Sequence, residues 1–432
     1  MAEYGDLRGE NSFVHFYPLV GRKRAPRAGW LAASVTALMV GIVCGCGGSS
    51  AGKVLYAVGP GNSNVSMFAV SGSGELTPVG TPVSTGSGPE AIAIDPSHRF
   101  AYIVDSANGV GTGGISQYVL SQQSGALVAA TFSSTIGNGG VAPPAQTGTN
   151  PVAIAIDVTG TFVFAANQGS DSISVFMIDL VGCAGICGNG TLTEIKQPLP
   201  GPVPPNCITG SPVPCPLSIA PAAPTGLTTT GTMLFVATST GGAGQVSTYT
   251  FNSTTGVVAT PAAFTTPVDV KNPSAMTMDT TGKFLFLSDS TANEVEVLSI
   301  GNTGQLTPVG QQAPCAAHTC PTGPTPRNAW ISPSGNFLYT ANQGGANCVN
   351  GGVSAFSVSS GALTALSGSP FAAGPCPSYV ATDSSGAFLF VANGGNNNTI
   401  SVFTINTSGA PNEPGTTSPS IVINPVALAS IN

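Results

Sequence analysis

Residues 151–176 read PVAIAIDVTGTFVFAANQGSDSISVF, and this stretch decides the fold because the chain repeats it. Residues 273–298 read PSAMTMDTTGKFLFLSDSTANEVEVL, and residues 377–403 read PSYVATDSSGAFLFVANGGNNNTISVF. Each copy runs through the same order: a short apolar run after proline, a D-x-x-G-type turn, an aromatic apolar run, a polar loop and an alternating run. Runs of this length with period-two patterning, punctuated by Gly, Asn and Asp, are strands rather than helices. A unit of about fifty residues built from four short strands is a propeller blade, which buries its faces only by stacking on its neighbours. The expectation is an all-β chain folded as a β-propeller of four-stranded antiparallel blades.

The blade count follows from the prolines. Inner strands are predicted to start near Pro89, Pro151, Pro224, Pro273, Pro326 and Pro377, which makes six complete starts. The segment from Lys53, KVLYAVGPGNSNVSMFAV, is a copy without its first strand, and the segment from Asn424, NPVALASI, is a first strand without the rest. Joined, the two ends make a seventh blade, with the C-terminal strand innermost and paired with residues 54–58. Such closure removes the free sheet edges that would otherwise recruit other chains.

Residues 1–45 read as an address. Arg22, Lys23, Arg24 and Arg27 precede the apolar stretch from Trp30 to Val43, and Cys44-Gly45-Cys46-Gly47-Gly48-Ser49 follows. A basic region, an apolar region too short to span a bilayer and a run of small residues make a secretory signal. The cysteine after Gly45 resembles the acceptor of a bacterial lipobox, so Cys46 is the predicted lipidation site, and residues 46–52 are a tether ahead of a propeller over 53–432. The resulting localisation is the bacterial cell envelope, with the membrane reached only through the N-terminal lipid. Outside the leader the chain holds six Lys and Arg against 15 Asp and Glu. So few cations exclude a nucleic-acid partner, since phosphate contacts need clustered Lys and Arg. The chain is expected to be monomeric and to carry no cofactor and no metal.

Residues that recur at one place in successive blades are read as local chemistry. Asp95, Asp157, Asp279 and Asp383 fall at the turn after the inner strand and are assigned to Asx-type turns rather than to metal binding. Asn167, Asn342 and Asn393 end the second strand, where they are expected to take left-handed backbone geometry. Eight cysteines remain beyond Cys44 and Cys46, and in an exported chain they are expected to pair. The blade register puts Cys183 with Cys187, Cys207 with Cys215, Cys315 with Cys320, and Cys348 with Cys376. The run CAAHTC (Cys315, His318, Cys320) has zinc binding as its competing reading.

The repeat over residues 53–432 resembles the lactonase-type, or YVTN-type, seven-bladed propellers, which include 6-phosphogluconolactonases and muconate-lactonizing enzymes. The active members carry non-repeating signatures, and most are replaced here. An inner strand beginning P-H-x-H corresponds to Pro273-Ser274-Ala275-Met276. The next, beginning P-R-H with its following strand ending N-E, corresponds to Pro326-Arg327-Asn328 and Asn342-Gln343. An S-N-R-G motif corresponds to Ala392-Asn393-Gly394-Gly395. The resemblance implies a lactone-opening site of which only Arg327 is kept. Opening a lactone needs a base and a cation to hold the developing charge. Gln343 cannot titrate, and His98 falls on the face opposite the loops that would form the site.

The expected function is therefore a binding or scaffold module of the cell envelope, with Arg327, Asn328, Gln343 and His318 as its ligand-binding residues. The partner is a carbohydrate, a peptide, a protein or a small anion. The alternatives are a lactone hydrolase of altered specificity and a structural surface repeat protein.

Overall fold

The computed structural model describes residues 52–109, 111–130, 143–180, 189–197, 216–219, 223–240, 242–259, 262, 264–267, 271–310, 315, 319–394, 398–417 and 424–431. The leader, Cys46, Cys183, Cys187, Cys207, Cys215 and His318 lie outside these residues.

The described residues form seven antiparallel sheets, one per blade. In blade 3 the strands Pro151–Ile156 (inner), Phe162–Asn167 (second), Ser172–Ile178 (third) and Leu192–Glu194 (outer) pair in chain order. The other inner strands are Pro89–Ile94, Pro224–Thr229, Pro273–Met278, Pro326–Ile331 and Pro377–Thr382, each beginning at the proline the sequence marks. Proline suits a strand's first residue because that position donates no ladder hydrogen bond. Blade 1 is assembled from both ends of the chain: Ala427–Ile431 pairs with Val54–Gly59, with Val54 opposite Ile431 and Val58 opposite Ala427. A salt bridge of 2.5 Å from Lys53 Nζ to Asp383 Oδ2 and a hydrogen bond of 2.8 Å from Ser430 Oγ to the Thr382 carbonyl tie this closing blade to blade 7.

The second strands carry the core. Phe100–Asp105, Phe162–Asn167 and Phe388–Asn393 are buried at every residue. An aromatic ring at mid-strand fills the gap between blades: Tyr56, Tyr102, Phe164, Phe235, Phe286, Tyr339 and Phe390 are all fully buried. Each such side chain contributes about 1.5–3 kcal/mol by leaving water. Where the ring is tyrosine, its hydroxyl donates to a glycine carbonyl of the next blade, at Gly125, Gly190 and Gly409. That partner removes the cost of burying an unpaired hydroxyl.

The recurring aspartates are turn formers. Asp95 Oδ1 accepts from the backbone N–H of Arg99 at 2.7 Å and of Phe100 at 2.5 Å, and its Oδ2 takes the N–H and hydroxyl of Ser97. Asp157 and Asp279 repeat this set of bonds. Ser332 stands in for the aspartate in blade 6 and accepts from Phe337 N–H at 3.1 Å. The fourth turn residue has positive φ, +69° at Gly160, Gly282 and Gly386; in blade 2 it is His98, at +55°.

The recurring asparagines do something else than expected. Asn167 has φ −101° and ψ 97°, an extended conformation, and neither Asn342 nor Asn393 has positive φ. Their side chains are fully buried, and Nδ2 donates to a serine hydroxyl of the third strand: Asn167 to Ser174 at 3.0 Å, Asn342 to Ser354 and Asn393 to Ser401 at 2.9 Å. That serine in turn accepts the N–H of Gly148, Gly323 or Gly374 in the connection entering the blade. The glycine is needed for clearance, since a Cβ at Gly323 would lie 2.8 Å from Asn342 Nδ2, and one at Gly374 would lie 2.4 Å from Asn393 Nδ2. The left-handed residues come instead just before the inner strands: Asn150, Ala223, Thr325 and Cys376 have φ between +51° and +57°.

Candidate functional site at the channel mouth

The site is built by one backbone irregularity repeated around the ring. In each of the six proline-initiated inner strands, the register slips between the first and third residues; Pro326 faces Asn342 while Asn328 faces Ala341. The second residue is thereby left unpaired in a bulge, a device that re-aims a side chain. Glu90, Val152, Thr225, Ser274, Arg327 and Ser378 occupy these bulges, and Val426 follows Pro425 at the matching place in blade 1. All seven line one cavity of about 490 Å³ at the end of the central channel. The loops leaving the second strands add Gln168, Ser290, Gln343 and Gly394 to its wall, and Asn272, Cys376 and Asn424 come from the connections entering the blades.

The hydroxyls of the ring are committed. Ser274 Oγ donates to the Pro326 carbonyl at 2.6 Å, and Ser378 Oγ donates to the Pro425 carbonyl at 2.6 Å, so each staples its blade to the next. A serine that donates to a backbone carbonyl is not activated by a base, which a nucleophile requires.

Arg327 is exposed, and its Nε donates to Gln343 Oε1 at 2.8 Å. Among the described residues no carboxylate pairs with it. The amide therefore orients the guanidinium and leaves its charge uncompensated. Asn328, next in sequence, is turned away into the joint between blades 6 and 7. It is buried, its Oδ1 accepts from Val380 N–H at 2.9 Å, and its side chain bonds the Tyr379 hydroxyl. Burial pushes that phenol up to about 12. Asn328 thus acts as an interblade strut, and it also lines an adjoining cavity of about 200 Å³ that Arg327 and Glu90 border; the bulge turns the neighbouring residues to different sides. Arg327 and Gln343 are brought together in the cavity wall.

Two disulfides fall among the described residues, Cys315–Cys320 and Cys348–Cys376. The first lies buried in the core between blades 5 and 6, so its sulfurs are bonded to each other rather than held as metal-binding thiolates. The second ties the loop after the second strand of blade 6 to Cys376, in the cavity wall next to the inner strand of blade 7.

Sequence reading passed over Glu90. It stands at the same bulge in blade 2 as Arg327 does in blade 6, accepts from Ser106 Oγ at 3.3 Å, and is pushed up by burial. The register itself was the available signal, since PEAIAI and PRNAWI align at their prolines.

These features define a closed seven-bladed propeller with a polar cavity at one channel mouth. The chain belongs to the lactonase family of such propellers: the family described as "Lactonase, 7-bladed beta-propeller" matches residues 48–184, 214–330 and 316–420. Solved structures of similar fold include the periplasmic gluconolactonase PpgL of Pseudomonas aeruginosa, 18% identical with a TM-score of 0.62 over 88% of this chain and 99% of that one. A Bacteroides fragilis protein provisionally described as a 6-phosphogluconolactonase is 18% identical, with a TM-score of 0.63 over 88% and 98% of the two chains. A functionally unknown protein of Desulfotomaculum acetoxidans is 13% identical, with a TM-score of 0.58 over 88% and 99%. At these identities the shared property is the fold. No curated protein matches the chain in sequence.

Proposed function

We propose that this protein is an exported, lipid-anchored propeller whose channel mouth binds a small anion at Arg327 without turning it over. The carrying observation is the Arg327–Gln343 hydrogen bond: a charge-assisted donor is held in place by a neutral partner, at the edge of a cavity large enough for a monosaccharide-sized ligand. Ser274, its hydroxyl committed to the Pro326 carbonyl, supplies no nucleophile. Export is supported by the basic-apolar leader of residues 1–45 ahead of Cys46 and by the two disulfides, which persist in oxidising compartments.

The competing reading, a lactone hydrolase of altered specificity, has Glu90 as its candidate base among the described residues of this cavity. The two readings separate on a panel of sugar lactones and carboxylates assayed with wild type and Arg327→Ala. The binding reading expects thermal stabilisation by carboxylates that the variant loses, and equal, background lactone hydrolysis by both proteins. Hydrolysis by wild type that disappears in both Arg327→Ala and Glu90→Gln would overturn it in favour of the hydrolase.

A further inference from the structure

The mouth carries two charges of opposite sign, and their placement specifies more than an anion. Among the described residues lining the cavity, Glu90 and Arg327 are the charged ones; the rest of the wall is hydroxyl, amide, backbone and a few apolar groups. Both occupy the bulge at the second residue of an inner strand, so they lie at one depth. They belong to blades 2 and 6, three blades apart one way round the ring and four the other, and therefore face each other across the channel. Neither is paired with an opposite charge among the described residues. Among the described residues Arg327 bonds the neutral Gln343, and Glu90 accepts at 3.3 Å from the Ser106 hydroxyl, which also donates to the Gly88 carbonyl.

A ligand that is purely anionic gains at Arg327 and loses at Glu90. A purely cationic one does the reverse. A molecule with an anionic end and a cationic end gains at both, and it also returns a counter-charge to a carboxylate that burial disfavours. Complementarity of this kind selects among ligands more than it adds raw affinity. We infer that the channel mouth is a site for a small dipolar molecule, bound with its carboxylate on Arg327 and its ammonium on Glu90. The Arg327 end rests on the proposed function above; the Glu90 end is an additional assignment.

The test is a calorimetric titration of the full chain with 4-aminobutanoate, 6-aminohexanoate and 8-aminooctanoate, each beside the plain carboxylate of the same length. The expected result is that one length binds about five- to tenfold more tightly than its plain counterpart, as a second pair of opposite charges in a solvent-open cavity would give. Glu90→Gln, an isostere that removes the charge, should erase that advantage and leave the plain carboxylate bound as tightly or more tightly. Equal affinity within every pair, or an advantage that survives in Glu90→Gln, would overturn the assignment of Glu90 and leave the Arg327 reading standing. No binding of any plain or amino carboxylate to wild type would overturn both. Melting curves of Glu90→Gln and Glu90→Ala separate lost binding from lost fold.

Discussion

Arg327 Nε donates to Gln343 Oε1 across 2.8 Å, joining the bulge of the inner strand of blade 6 to the residue that follows its second strand. The pair keeps the geometry of an ion pair with one charge missing. Gln343→Glu would restore the second charge, giving Arg327 an internal carboxylate. The expected consequence is a loss of carboxylate affinity of about tenfold, matching the strength of one charge-assisted hydrogen bond. Calorimetric titration of the variant with gluconate reads it, and undiminished affinity would show that the charge of Arg327 is not what the ligand uses.

Asp105 ends the second strand of blade 2, where Asn167, Asn342 and Asn393 end those of blades 3, 6 and 7. It keeps the serine clamp, accepting from Ser116 Oγ at 2.6 Å, but its Oδ1 is buried without a hydrogen-bond partner. Burial pushes its carboxyl up to about 6, from an ordinary 3.8. A group whose folded value is raised favours the fold when protonated, so its contribution is full below pH 4 and lost as pH rises through 6. The linkage is worth roughly 3 kcal/mol at most. Asp105→Asn should therefore stabilise the protein by about 1–3 kcal/mol at pH 7.5, and by little at pH 4. Urea unfolding at the two pH values measures the difference, and an equal effect at both would refute the buried-charge account.

His98 holds the turn position that glycine fills in blades 3, 5 and 7, with φ +55° and its N–H on the Asp95 carbonyl at 2.8 Å. A Cβ in left-handed geometry costs about 1–2 kcal/mol, while glycine's greater freedom in the unfolded chain returns about 0.5–1. His98→Gly is expected to gain about 0.5–1 kcal/mol without touching the mouth, because the turn lies at the opposite end of the blade. Destabilisation in urea would mean the imidazole makes contacts that outweigh the strain.

Ring closure concentrates stability in the last strand. Leu428 is 1% exposed and packs with Leu55 and Phe390 across the seam between blades 1 and 7. Leu428→Ala should cost about 2–5 kcal/mol, the range for a buried leucine. Removing residues 427–432 should cost more than packing alone, since it uncovers the edge of Val54–Gly59; soluble expression with an unchanged melting temperature would argue against closure by this strand.

The fold was legible because six blades open with a proline at the inner strand, and four of them, blades 2, 3, 5 and 7, announce themselves again by the Asp turn after it. Both are local chemistry, visible without tertiary contacts. The asparagines misled because one residue type serves two purposes: Asn150 is left-handed while Asn167, in the same blade, is extended and buried. The site was half legible. Arg327 and Gln343 emerge from the family resemblance, but the bulge that turns Asn328 toward Val380 leaves no mark in composition. Glu90 was missed because it lies outside blades 5, 6 and 7, which the resemblance singles out, and only the ring brings blades 2 and 6 to one cavity.

The central claim is that Arg327 makes the channel mouth an anion site. Its most direct test is calorimetric titration of gluconate into wild type and Arg327→Ala, with both proteins shown folded by their melting curves. The account predicts measurable binding to wild type and a loss of at least about tenfold in the variant, the value of one charged hydrogen bond. Equal affinity in the two proteins would contradict it.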